Sequence, residues 1–209
     1  DIEIDETGKF EIHVSMDKKC SNWLPMQSDT DSILIRQTFR DRSAELPATF
    51  SIEHVDRGDV VPLDPVKFIK ALENTTPFVE GTADLFRHWM ELFLTHENSL
   101  PPNDQEMCLK AGGDPEIHYH NSRWALSDDM ALLIEFYPPV CKAWNFQLSN
   151  FWMESLDYRF HRISINQDSA VVCDDGLVQI LVSAFDPGMA FANWLTTAGH
   201  NCGAMLLRY

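Results

Sequence analysis

The densest run of chemically capable side chains is Trp152-Met153-Glu154-Ser155-Leu156-Asp157-Tyr158-Arg159. Two carboxylates and a phenol lie close together there, and His200 follows later in the chain. These are the groups from which general acid–base catalysis is built. Asp157, Tyr158 and His200 are thus the candidate catalytic residues, for a reaction, hydrolytic among others, on a small organic molecule. The same side chains can instead bond one another and fix a turn. That second reading is preferred, because nothing in the sequence marks a cleft.

Three further groups invite a functional reading. His118-x-His120 sits on an expected strand, whose period of two puts both rings on one face, as two metal ligands require. A third ligand, His161 or Asp157, would have to come from elsewhere, and two histidines are too few; no metal and no cofactor are expected. Arg36 and Arg208 lie inside apolar runs. A guanidinium placed there needs a carboxylate, which Glu154 or Asp157 would supply to Arg208, or else it waits for an anionic ligand. Trp23 and Trp194 each occur in Asn-Trp-Leu. The Asn would form an Asx turn while the Trp plugs the end of a sheet pair, or the rings would form a platform for a small-molecule ligand. G-x-S-x-G, H-E-x-x-H, P-loop and dinucleotide signatures are all missing.

The Asn-Trp-Leu pair belongs to a longer repeat. Residues 5–39 and 174–209 each carry a Gly (Gly8, Gly176), an apolar run ending in Ser seven residues later (Ser15, Ser183), Asn-Trp-Leu, and a second apolar run bearing the Arg. Two β-units of one kind are implied. About sixty residues of strand-like sequence, from Ile117, precede Gly176, but only seven precede Gly8. The first unit is therefore expected to lack its front half, and the chain, which starts at Asp1, to be the C-terminal part of a longer protein. The competing reading joins the early strands to the other sheet.

The elements that would position these residues follow from hydrophobic period. Residues 9–15 alternate as a half-buried strand, and residues 32–39 and 48–55 read as two more. Residues 64–98 switch to helical spacing. Asp64-Pro65 and Thr76-Pro77 each place a capping residue before a proline, which predicts two helices. The first carries Phe68, Ile69 and Leu72, and the second Phe78, Val79, Phe86, Trp89, Met90 and Phe93. Strands are expected at residues 117–124, 130–137, 144–148, 160–165, 177–185 and 204–209.

The later part of the chain resembles a known family. GGDPEIHY, ALLIEF, WNFQL, MESLDYR and NWLTTAGH, all within residues 113–209, match the family catalogued as domain of unknown function twelve-fourteen. The resemblance implies a β-rich fold of jelly-roll type, at the end of proteins that often begin with another domain of unknown function. It carries over no catalytic residues. DPGMAFANWL departs from the pattern, which has a shorter link there.

The expected protein is α+β and mostly β. Residues 1–62 are the remnant of a first antiparallel sandwich unit, 63–112 a helical hairpin with its linker, and 113–209 a second, complete unit. Composition narrows the partners. Thirty-two acidic against 16 basic residues give a net charge of −16, which argues against nucleic acid and anionic lipid. No apolar run reaches the ~20 residues of a membrane span. Five cysteines, an odd number without C-x-x-C spacing, suggest neither a disulfide framework nor a zinc ribbon. A non-catalytic binding or assembly module is the leading expectation, as a homo-oligomer or with the missing N-terminal part of the same protein.

Overall fold

A computed structural model of the chain describes residues 2–55, 62–103 and 105–209. The protein is α+β and mostly β, and divides into two compact units, Asp1–Thr38 and Phe39–Tyr209. The first unit holds two short strands, β1 (His13–Ser15) and β2 (Trp23–Pro25), paired in parallel.

The second unit opens its helical part with α1 (Pro65–Phe93) and α2 (Gln105–Lys110). Seven strands follow: β3 (Tyr119–Ala125), β4 (Ala131–Phe136), β5 (Asn145–Ser149), β6 (Ser164–Asn166), β7 (Val178–Ser183), β8 (Trp194–Thr196) and β9 (Cys202–Arg208). They form two sheets. One has the order β3-β9-β5-β6, antiparallel throughout. The other has the order β4-β7-β8, in which β4 pairs antiparallel and β8 parallel to β7.

Strand period explains how the sheets share one core. Leu132, Ile134 and Phe136 from β4, Val178, Ile180 and Val182 from β7, and Leu195 from β8 meet Trp124, Phe146, Leu148, Ile165, Met205 and Leu207 from the other sheet. On β9 the alternate residues Ala204 and Leu206 face the other way, against Met90 and Phe93 at the end of α1. β9 is thus buried on both faces, which accounts for its nearly unbroken apolar sequence. Gly203 makes room for this. A Cβ there would lie 2.0 Å from the carbonyl oxygen of Ser149 and 3.0 Å from the indole nitrogen of Trp124.

The expected helical hairpin is one continuous helix. Asp64 caps it, its carboxylate accepting from the backbone N–H groups of Val66 (2.9 Å) and Lys67 (3.3 Å). Thr76-Pro77 starts no second helix, and α1 runs through Pro77. An interior proline removes one backbone bond and costs about 3 kcal/mol. The stretch around it is exposed, so water can take the carbonyl that the missing N–H leaves. Thr75 and Thr82 bond back to the carbonyls of Ala71 (3.0 Å) and Phe78 (2.8 Å) on either side of it. After Phe93 the chain tightens into a 3-10 turn and reverses at Asn98, whose φ is 57°. The Asn98 side chain then grips both main-chain groups of Ala125 at 2.9 Å, tying this end of the helix to β3.

Three other expectations are corrected. Residues 32–39 and 48–55 form no strand. The units are not wholly antiparallel, since each contains one parallel pair. Residues 39–45, expected with the first unit, join the second: Arg40 forms two bonds with Asp168 (2.8 and 2.9 Å), and Asn166 donates to the Arg40 carbonyl at 2.8 Å.

Gly203→Ala is expected to force β5 and β9 apart and to lower the melting temperature by about 5–10 °C, the scale of an overpacked core site in a chain of this size. A thermal melt followed by circular dichroism checks it, and an unmoved midpoint contradicts the close approach of the two strands.

Candidate functional site

The two Asn-Trp-Leu motifs are where the structure is most specific. In both units the Asn carbonyl accepts the N–H of the facing strand, His13 at 2.9 Å and Leu181 at 3.1 Å. In both, the indole N–H of the Trp donates to the Ser that ends that strand: Trp23 to Ser15 Oγ at 3.0 Å, and Trp194 to Ser183 Oγ at 2.9 Å. Each Ser hydroxyl donates in turn to a carbonyl two residues on, Asp17 (2.6 Å) and Phe185 (2.8 Å). The strands also enter alike. Gly8 and Gly176, with φ of 82° and 89°, close the same turn onto the carbonyls of Asp5 and Cys173.

The Asn side chains do not form the expected Asx turn. Each clamps a distant main chain: Asn22 exchanges two bonds of 2.7 Å with the N–H and C=O of Glu3, and Asn193 two of 2.8 and 2.7 Å with those of Val171. Asn193 adds a bond to the Gln179 carbonyl at 2.9 Å. Trp23 and Trp194 therefore stand at the start of strands, not in turns, with their polar edges used internally. The three extra residues between Ser183 and Asn193 are taken up by the 3-10 turn Gly188–Ala190.

The candidate catalytic residues lie apart. Asp157 is held by its neighbour Arg159 through two bonds of 2.9 Å, and this guanidinium holds its carboxyl below the usual carboxylate range. The Tyr158 ring lies under the guanidinium of Arg42, 4.4 Å from its centroid. His200 is exposed in a tight turn, its N–H on the Thr197 carbonyl at 3.0 Å. No hydrogen bond or ion pair joins it to Asp157 or Tyr158 among the described residues. Glu154 closes the 150–154 turn, accepting from the Asn150 side chain at 2.7 Å.

The predicted partnership of Arg208 with Glu154 or Asp157 is corrected. Ser155 bridges Ser149, and Ser149 faces Ala204, four residues down β9 from Arg208. That is about 13 Å of strand. Arg208 instead lies opposite Tyr119 and Asn145, half-buried at the other end of the sheet. Arg36 is exposed in the first unit. His118 and His120 flank the ring of Tyr209: His118 stacks on it at 5.4 Å, and His120 shares a 3.2 Å hydrogen bond with its hydroxyl. Among the described residues no three His, Cys, Asp or Glu side chains gather as a metal site, and no helix is long and apolar enough to cross a membrane. The five cysteines are all free thiols.

Sequence reasoning passed over Arg40 and Arg42, which pin residues 39–45 to the segment around Tyr158 and Asp168. Their signal was the alternating charge of Phe39-Arg40-Asp41-Arg42. It also passed over the exposure of α1. From Pro65 to Leu85 every residue is exposed, including Phe68, Leu72, Phe78 and Val79. An open hollow lies there, lined by Ala71, Asn74, Thr75 and Phe78, with no titratable group.

No family model and no curated protein matches the chain. Among solved structures, an uncharacterised protein from Burkholderia cenocepacia is similar over 100% of this chain, with 44% identity and a TM-score of 0.92. This chain spans 58% of the length of that protein. A protein from Vibrio parahaemolyticus aligns with 45% of this chain and 26% of its own, at 18% identity and a TM-score of 0.35.

Two predictions arise from this geometry. Asn193 is buried and bonds three main-chain groups, so Asn193→Leu is expected to destabilise by about 1–3 kcal/mol for each group left unpaired. Asn22→Leu, in the exposed counterpart, is expected to cost less; urea melts of both variants decide. The lowered Asp157 pKa means that its ion pair contributes above the ordinary aspartate value and is lost as pH falls through the lowered one. A carbon-13 NMR titration should place Asp157 below a normal aspartate, and Arg159→Gln should return it upward.

Proposed function

We propose that this chain is a non-catalytic assembly module that associates through α1 with a second copy of itself. One observation carries the reading. Ile69, Leu72, Thr76, Val79, Ala83, Phe86, Met90 and Phe93 alternate in steps of three and four along one face of α1. That is the seam of a two-helix coiled coil, a and d positions in register. Its last members, Met90 and Phe93, are buried against β9. The earlier ones are bare: Ile69 is 56%, Leu72 57% and Val79 59% exposed. Slim side chains (Thr76, Ala83) alternate with bulky ones (Leu72, Val79, Phe86), so an identical helix laid antiparallel sets bulky against slim. Exposed apolar faces of this kind mark association sites.

The same proposal places residues 113–209 in the family catalogued as domain of unknown function twelve-fourteen, with a sandwich of jelly-roll type. The support is the shared core of the two sheets and the position of its motifs, MESLDYR in a closed turn and NWLTTAGH on the Asn193 clamp. The alternative, an enzyme using Asp157, Tyr158 and His200, draws no support from a geometry that engages two of these groups elsewhere and joins none of them to another.

Sedimentation equilibrium tests the assembly. The chain is expected to dimerise, and the Leu72→Asp/Val79→Asp variant to associate at least about a hundredfold more weakly, about 2.7 kcal/mol, with its melting curve otherwise kept. A chain that stays monomeric at high concentration, or a variant that associates equally well, refutes the proposal.

A further inference from the structure

The first unit repeats most of the hydrogen bonds around the second Asn-Trp-Leu, yet several of its apolar side chains are exposed. Equivalent residues differ by 168 positions from Glu3 and Val171 to Asp17 and Phe185, and by 171 at Asn22 and Asn193. On this mapping Ile12 answers to Ile180 and Leu24 to Leu195. Ile180 and Leu195 are 0% exposed, whereas Ile12 is 39% and Leu24 45% exposed. The run around Arg36 answers to β9. There Met205, Leu206 and Leu207 are 0%, 4% and 7% exposed, against 42%, 68% and 54% for Ile33, Leu34 and Ile35.

The second unit shows what covers these positions. β4 lies antiparallel on the edge of β7, the counterpart of β1. β3 and β5 flank β9 on both edges, and their Trp124, Phe146 and Leu148 complete the core. All of them come from residues 119–149, ahead of the repeat. The first unit retains the apolar residues that such strands would bury, and the hydrogen-bonded ladder that would receive them. It has no counterpart of the strands themselves among the described residues. Native sheets do not keep bare apolar edges without a cover. The Burkholderia cenocepacia protein, which matches the whole of this chain, has 42% of its length outside the match, the complement of the 58% covered.

We infer that the first unit is the closing part of a second β-unit, and that its bare face is the docking surface for a strand set of the same chemistry as β3, β4 and β5, carried in a longer form of the polypeptide. In that assembly the apolar run at residues 33–36 is the central strand of an antiparallel sheet, paired on both edges. A strand like Ala131–Phe136 lies on β1. The occupant is recognised by alternating apolar residues presented to Ile12 and Leu24, together with backbone pairing at both edges of the run. The surface is built from other residues than those of α1, so the inference stands or falls independently of the helix-mediated dimer.

Hydrogen–deuterium exchange with mass spectrometry tests it, on this 209-residue chain and on the full-length Burkholderia protein. In this chain, amides 33–35 are expected to exchange as in an unstructured peptide while 203–207 stay protected. In the full-length relative, the peptide aligned with 33–35 should exchange at least about a hundredfold more slowly. Fast exchange in both proteins overturns the inference. So does protection of 33–35 in this chain that grows with its concentration, which would make a second copy the occupant. A second measurement uses an acidic side chain at the position aligned with Leu24. It should lower the melting temperature of the full-length relative, while Leu24→Asp leaves that of this chain unmoved. Equal tolerance in both overturns the inference as well.

Discussion

Burial of β9 on both faces is the constraint on which the second unit depends. A strand flanked on both edges and covered on both faces cannot shift by one residue without turning Met205 and Leu207 out of one core and Ala204 and Leu206 out of the other. Its register is therefore over-determined. Neighbouring features follow from that fixed line. Gly203 lets β5 come close. Trp124, fully buried, donates its indole N–H to the Ala204 carbonyl at 3.1 Å. The end of α1 has a platform only because Ala204 and Leu206 present a flat apolar strip.

The Asn clamps solve a different problem. A parallel pair such as β7 and β8 holds only three residues in register. So short a ladder gives little stability by itself. The Asn193 amide extends it sideways, satisfying the main chain at Val171 and at Gln179 from one buried side chain. In a low-dielectric setting such bonds strengthen, and breaking one leaves a costly orphan. Asn22 makes the two equivalent contacts to Glu3 in a site open to water, where they are weaker. The bonds that the two motifs share, made in unequal surroundings, indicate that the motif is a construction element of the fold.

Much of the second sheet pair was legible in the sequence, and the reasons for the failures are physical. Strand spacing and turn punctuation mark β4 and β7, and the nearly unbroken apolarity of β9 fits its burial on both faces. β8 was hidden, since Asn-Trp-Leu has the composition of a turn and its three-residue strand depends on pairing with β7 and on the Asn193 clamp. Pro77 looked like a helix start because local rules do not register that its lost bond faces water. Residues 32–39 carry the composition of a strand, but pairing is a property of neighbours, and no strand among the described residues pairs with them. For the candidate site the limit is sharper. Spacing brought Asp157 and Tyr158 together correctly in the chain, but could not foresee that Arg159 and Arg42 would occupy them. Nor could it place Arg208 at the opposite end of the strand from Glu154.

The charge distribution bears on whether α1 can self-associate at all. A net charge of −16 would oppose bringing two copies together if it were spread evenly. It is not. Within α1 three basic residues (Lys67, Lys70, Arg87) face four acidic ones (Glu73, Glu80, Asp84, Glu91), a difference of one charge. Arg87 is further neutralised along the helix by Asp84 at 3.3 Å and by Glu91 in a short i,i+4 bond of 2.5 Å. Charges more than about 10 Å from the seam are largely screened at 0.1 M salt. The helix thus presents a nearly neutral apolar strip on a strongly acidic protein. Repulsion from the remainder keeps random contacts apart, and only an approach that aligns the two strips gains burial without a matching electrostatic cost.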